Sequence, residues 1–275
     1  MYCNILVTKP FDQYFTYKFN IYQKIKRGSL VIVPFGRKKD QIGVVYDVVE
    51  TLPKKIETLD IKEIISVFEN TFLNDKLIQF IDWIHNYTLA PKGLVLKLIL
   101  INNKIVDYNL SKNTQNSIQP NKVMLNVEQF EAYKVINKSL ISKFHPIVLE
   151  GVTGSGKTEV YFEAIEKILR QKKQALIMLP EISLTPQFEK RFKIRFGFEP
   201  DIWHSKVSEK KKKIIWHRCY QGESIIVIGA RSSLFLPFNN LGLIVVDEEH
   251  DLSFKQEDNI RYQARDLAIV KAKIE

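Results

Sequence analysis

Apolar positions change their spacing along this chain, and the changes divide it. Residues 3–8, 29–35 and 41–50 are short β-branched and aromatic runs separated by turn signals at Arg27-Gly28, Phe35-Gly36 and Lys39-Asp40, the texture of strands in a small β-rich domain. Leu77, Phe80, Ile81 and Ile84 then recur at helical spacing, so a helix is expected after the strands. Residues 102–122 are dense in Asn, Ser, Thr, Gln and Lys and carry a proline, as a linker does. From Asn126 onward Phe130, Tyr133, Ile136 and Leu140 form a second helical stripe, and apolar runs at 147–150, 175–179, 225–229 and 242–246 alternate with helix-length amphipathic segments. Near-continuous apolar runs in that rhythm predict buried strands of a doubly wound, mostly parallel sheet. The expected architecture is α/β, with a β-rich domain over 1–103, a polar linker over 104–122 and a larger lobe over 123–275.

Charge and cysteine content narrow the function classes. The chain of 275 residues has a net charge of +10, split evenly as Lys+Arg 15 against Asp+Glu 10 in residues 1–105 and 26 against 21 in the remainder. A polyanionic partner fits that balance, because Lys and Arg gain affinity by releasing counterions from phosphates; a Lys-, Asn- and Ile-rich composition fits it equally. Only Cys3 and Cys219 are present, far apart and in no CxxC pair, which leaves neither a disulfide framework nor a thiolate zinc site. No apolar run reaches membrane-spanning length and the first residues lack the features of a signal peptide, so no membrane partner and a cytoplasmic location are expected.

Two motifs carry chemistry. Gly151-Val152-Thr153-Gly154-Ser155-Gly156-Lys157-Thr158 fits G-x-x-x-x-G-K-[ST] between an apolar run and a helix-forming segment. Glycines let successive amides and a helix N-terminus face phosphate oxygens, Lys157 reaches the outer phosphates, and the Thr158 hydroxyl is a magnesium ligand. Asp247 and Glu248 end the apolar run 242–246, the sheet edge where ligands collect. Asp247 is the second magnesium-holding candidate and Glu248 the candidate for orienting or deprotonating the attacking water, with Lys157, Asp247 and Glu248 as the catalytic set. The run Lys210–Lys213 reads as a solvated helix face, and His204 and His217 have no metal-ligand companions.

The string Asp247-Glu248-Glu249-His250 beside Lys157-Thr158 resembles the DExH helicases of superfamily 2. Longer matches narrow the resemblance to the PriA family of replication-restart helicases: Leu125-Asn126-Val127-Glu128-Gln129, the segment Leu179–Gln187, Trp203-His204-Ser205, Gly229–Phe235, and Asp251–Ala268 ending in an ARDLA helix. In the first domain Val33-Pro34-Phe35-Gly36, Ile42-Gly43-Val44-Val45 and the series Tyr87, Pro91, Gly93, Leu96 are similar to that family's 3′-end-binding domain. The resemblance implies a RecA-like P-loop lobe and an ATP-dependent 3′-5′ helicase acting at stalled forks, with ATP and Mg2+ as cofactors. It implies forked or single-stranded DNA with a nascent 3′ end, single-strand binding protein and primosome proteins as partners.

By the same resemblance Gln129 reads adenine, although Asn126–Gln129 is also a capping box and one amide cannot fill both roles. Thr185, Gln187, Arg231 and Ser232 are implied to touch the single-strand backbone, with helix capping at Thr185 and an ordinary turn at 230–233 as the plainer readings. Phe254 is implied to stack on a base, and Lys255 to couple DNA contact to hydrolysis. Phe15-Thr16-Tyr17 stands where the family has F-D-Y, so a hydroxyl replaces the carboxylate expected at the terminal nucleotide; packing of Phe15 and Tyr17 along a strand is the alternative. The family's winged helix, second motor lobe and zinc module are expected to be absent from this chain, so zinc belongs to the missing part. Without the second lobe's arginine, hydrolysis is expected to be slow. An ATP- and DNA-binding fragment without motor activity and a P-loop phosphotransferase are the competing readings.

Overall fold

A computed structural model describes residues 1–36, 39–50, 61–101, 120–141 and 144–275. The chain divides into two compact units, one of Met1–Tyr108 with Glu257–Arg261 and one of Asn109–Gln256 with Tyr262–Glu275.

The first unit is an antiparallel five-stranded sheet. Its strands are β1 (Tyr2–Val7), β2 (Phe15–Lys18), β3 (Ser29–Phe35), β4 (Lys39–Val49) and β5 (Ser66–Phe72), in the order β2-β1-β4-β3-β5. Alternation puts Cys3, Ile5, Val31, Val33 and Val45 on one face, where they form a buried cluster with Tyr17 and Phe19. Helix α1 (Asp75–Thr88) starts at Asn74, whose side chain accepts from the Leu77 amide, and buries the predicted stripe Leu77, Phe80, Ile81 and Ile84. Helix α2 (Lys92–Leu100) follows, with Val95, Leu96, Ile99 and Leu100 buried. Its Gly93 is a packing requirement: a Cβ there would lie 1.9 Å from the Lys9 carbonyl oxygen and 2.4 Å from that of Val7. Strand β5 and helix α2 were not foreseen, while β2 is the strand offered as the alternative reading of Phe15 and Tyr17.

The second unit is an all-parallel sheet flanked by helices. Strands β6 (Gln174–Met178), β7 (Asp201–Trp203), β8 (Ile226–Gly229) and β9 (Leu241–Val246) lie in the order β7-β8-β6-β9. Between and around them run α3 (Val127–Ser139), α4 (Lys157–Arg170), α5 (Pro186–Phe196), α6 (Glu209–Gln221) and α7 (Ala264–Ile274), with a two-residue ribbon of β10 (Lys255–Gln256) and β11 (Tyr262–Gln263). Phe162, Ile165, Ile177, Phe192, Phe196 and Ile228 form the centre of its core. Phe162 meets both Phe192 and Phe196 edge-on, at 5.9 and 5.3 Å between ring centres, so α4 and α5 are locked by aromatic contacts.

One expected strand is not a strand. Residues 147–150 lie outside the sheet, and Val148 is exposed. An apolar run becomes a strand only when a neighbour takes its hydrogen bonds, and none does here among the described residues. The expected linker lies outside the described residues through 119. At its end Asn121 donates from its backbone to the Arg195 carbonyl oxygen, at 2.8 Å, and from its side chain to that of Ile194, at 2.6 Å.

Candidate nucleotide site and DNA-facing residues

Residues 151–156 turn into α4, with Gly154 and Gly156 at φ +82° and +83°. The helix opens on Gly156 without a side-chain cap, so its first amides remain available to an anion. Lys157 lies back over the turn, Nζ donating to the Gly151 carbonyl oxygen at 2.6 Å. Gln129 braces the same turn from α3: its Nε2 donates to the Ser155 carbonyl oxygen at 2.9 Å. Its Oε1 accepts from the Asn126 amide at 3.0 Å, while Asn126 Oδ1 accepts from the Gln129 amide at 2.9 Å. The capping box is therefore formed, and the side-chain amide expected to read adenine is committed at both ends.

The acidic strand end reaches this turn. Asp247 continues the ladder past β9, its amide donating to the Met178 carbonyl oxygen at 3.0 Å. Its Oδ2 accepts from the Tyr161 hydroxyl at 2.9 Å, and its Oδ1 accepts from the Glu248 amide at 3.1 Å. Burial, followed by the Asp247 carboxylate, pushes the Tyr161 phenol well above its ordinary range, so it stays protonated. Glu248 takes a left-handed backbone at φ +52°, a conformation that costs a non-glycine residue about 1–2 kcal/mol.

These residues fit magnesium nucleotide. Thr158 and Asp247 offer hard oxygen donors, and magnesium takes one or two protein oxygens and completes its shell with phosphates and water. No group of three or more His, Cys, Asp or Glu side chains suited to a metal occurs among the described residues.

Several residues implied to meet DNA are engaged within their own unit. Thr185 caps α5, accepting from the Phe188 amide at 3.3 Å, and Gln187 is exposed in the first turn of that helix. Arg231 Nη1 donates to the carbonyl oxygens of Lys255, at 2.6 Å, and Ser253, at 3.3 Å. Ser232 accepts from the Trp203 indole at 3.2 Å. Phe254 is only 1% exposed, which corrects its assignment as a base-stacking face: its ring is a core side chain here, whereas Lys255 beside it is exposed. In the first unit Tyr17 is buried, with its hydroxyl on the Pro34 carbonyl oxygen at 3.2 Å. Phe15 stacks edge-on with Phe11 and Phe35, so Phe15 and Tyr17 pack along their strand. Thr16 points the other way and donates to Asn4 Oδ1 at 2.9 Å. Its oxygen can still accept a bond.

Sequence reasoning missed Tyr161. The available signal was its spacing, since three residues after Thr158 it shares that residue's helix face.

A glycine-rich turn at a helix N-terminus, with an acidic strand end tied to that helix beside a parallel sheet, is the layout of a P-loop lobe. Residues 129–274 match the model of the DEAD/DEAH box helicases, and residues 4–101 match that of the PriA 3′DNA-binding domain. The chain belongs to the DEAD/DEAH box helicase family and matches the N-terminal portion of the PriA proteins. It is 44% identical over 248 residues to the replication restart protein PriA of Rickettsia conorii, covering 89% of this chain and 36% of that protein. The Bacillus subtilis protein of that name is 48% identical over 146 residues, 53% of this chain and 18% of its own length. The Helicobacter pylori J99 protein is 38% identical over 244 residues, with 88% and 36% covered. The chain thus spans about a third of the length of the Rickettsia and Helicobacter relatives. Among the described residues no helix is long and apolar enough to cross a membrane.

Proposed function

We propose that this chain is the N-terminal part of an ATP-dependent 3′-5′ DNA helicase that recognises stalled forks and starts primosome assembly in replication restart. The observation that carries the reading is the hydrogen bond from the Tyr161 hydroxyl to Asp247, which ties the acidic strand end to the helix that follows the glycine-rich turn. Lys157, Thr158 and the amides of the turn hold the phosphates, Thr158 and Asp247 hold magnesium, and Glu248 orients the attacking water. Bound magnesium supplies charge neutralisation on the transferring phosphate. In the first unit the surface around Thr16 takes a DNA 3′ end, with the Thr16 oxygen accepting a hydrogen bond in place of a carboxylate. Lys255 and Gln187, both exposed, are the DNA contacts retained in the second unit, and single-strand binding and primosome proteins are the partners.

The test is nucleotide and DNA binding by the 275-residue chain. A fluorescent ATP analogue is expected to bind in Mg2+ and to lose binding in Lys157→Ala, and forked DNA with a free 3′ end is expected to outcompete blunt duplex. Wild-type binding of nucleotide unaffected by Lys157→Ala would refute the site. Strand separation assayed with the same chain distinguishes a working motor from an ATP- and DNA-binding part of one.

A further inference from the structure

We propose that Tyr161 is the positioning residue of this site, holding the Asp247 carboxylate in place through its phenol oxygen. The proposal rests on the reading of Asp247 as a magnesium ligand and deepens it.

The phenol's direction is set from outside the site. Tyr161 is 5% exposed, belongs to the buried core of the second unit and meets Phe162 edge-on at 5.3 Å. Its hydroxyl is carried by a ring the core does not let swing. The proton order follows from chemistry. A carboxylate only accepts, so the phenol proton goes to Asp247 Oδ2, at 2.9 Å. Asp247 is held at both oxygens, by Tyr161 and by the Glu248 amide at 3.1 Å, and each oxygen retains acceptor capacity for an ion or its water. Removing the phenol oxygen frees one side of the carboxylate, while leaving the amides of the turn and Lys157 untouched. Nucleotide affinity without metal and affinity with metal are therefore separable.

The discriminating variant is Tyr161→Phe, which keeps the packed ring. A fluorescent ATP analogue is titrated into the 275-residue chain in EDTA and across a Mg2+ series, and bound Mn2+ is followed by its paramagnetic resonance signal. Loss of an outer partner of a metal ligand costs about 10–100-fold in metal affinity, so Tyr161→Phe is expected to raise the half-saturating Mg2+ about 10-fold, with affinity in EDTA unchanged. In an Asp247→Asn background the same substitution is expected to have a much smaller effect, because the carboxylate it orients is gone. An unchanged Mg2+ profile in Tyr161→Phe overturns the proposal, as does an equal loss with and without metal, which would make Tyr161 merely structural. Failure of the wild-type chain to bind nucleotide in either condition overturns the magnesium-nucleotide reading itself, and the proposal falls with it.

Discussion

Arg195 offers a sharp test of how the second unit is held together. Its side chain is 3% exposed and donates to Glu163 at 2.6 Å and to Glu166 at 2.8 Å, tying α5 to α4 behind the phosphate-binding turn. Its Nε and Nη1 are buried without a partner among the described residues, so the guanidinium already carries part of its desolvation cost. Replacing Arg195 by Met leaves Glu166 with Arg170, at 2.6 Å, as its remaining cation. Breaking a buried pair costs about 3–5 kcal/mol, and the surviving, largely exposed Arg170 places the expected loss near the lower end, at about 3 kcal/mol. In the double variant Arg195→Met, Glu166→Met no buried charge is orphaned, and the loss is expected to fall below about 1 kcal/mol. Urea unfolding at neutral pH, read from the fluorescence of the buried Trp203 and Trp216, follows the right unit. At a typical urea dependence the single variant's midpoint should drop by about 1–3 M. There is also an acid signature. Burial pushes Glu166 up, but hydrogen bonds from Arg170 and Arg195 outweigh it and hold the carboxylate below its ordinary range. That contribution is present above the unfolded carboxylate pKa and is lost as pH falls through the lower folded value. Arg195→Met should shrink this acid-side loss. A midpoint shift under about 0.3 M, or a double variant as unstable as the sum of the singles, would refute the reasoning.

Three further expectations follow from single residues. Gln174 is buried and uses its whole amide, donating to the Cys219 and Ser224 carbonyl oxygens and accepting from the Asn239 and Asn240 amides; Gln174→Leu should cost about 3–5 kcal/mol in urea unfolding, since several backbone groups lose their partner at once. Lys271 is buried, its Nζ donating to the Leu236 carbonyl oxygen at 3.2 Å. Burial lowers its pKa to about 8, against the opposing pull of Glu275 and Cys219. Because the unfolded chain then binds the extra proton, thermal stability should rise between about pH 8 and pH 10, and Lys271→Met should remove that rise. Gly156 combines a positive φ with a Cβ position 2.3 Å from Gln129 Nε2, so Gly156→Ala should break the Gln129 brace and weaken nucleotide binding at least about 10-fold in a fluorescence titration, the equivalent of about 1.4 kcal/mol.

What the sequence determined by itself is what short-range patterns encode. Alternating and continuous apolar runs located β1, β3, β4, β6, β8 and β9, because burial on one or both faces of a sheet leaves a period that can be counted. The glycine-rich turn into α4 was legible for a related reason: its motif places glycine, lysine and a hydroxyl at fixed spacing within one local turn. The tertiary structure decided everything that depends on which side chain meets which. The apolar run at 147–150 is no strand, since pairing needs a neighbour as well as hydrophobicity. Phe254 is a core residue and Arg231 a clasp on the Ser253 and Lys255 carbonyl oxygens, and no local pattern distinguishes those fates from exposure to DNA. Tyr161 shows the limit most clearly. Tyr161 and Asp247 stand far apart in sequence, and only the packing of α4 beside β9 puts that buried hydroxyl within hydrogen-bonding reach of the carboxylate.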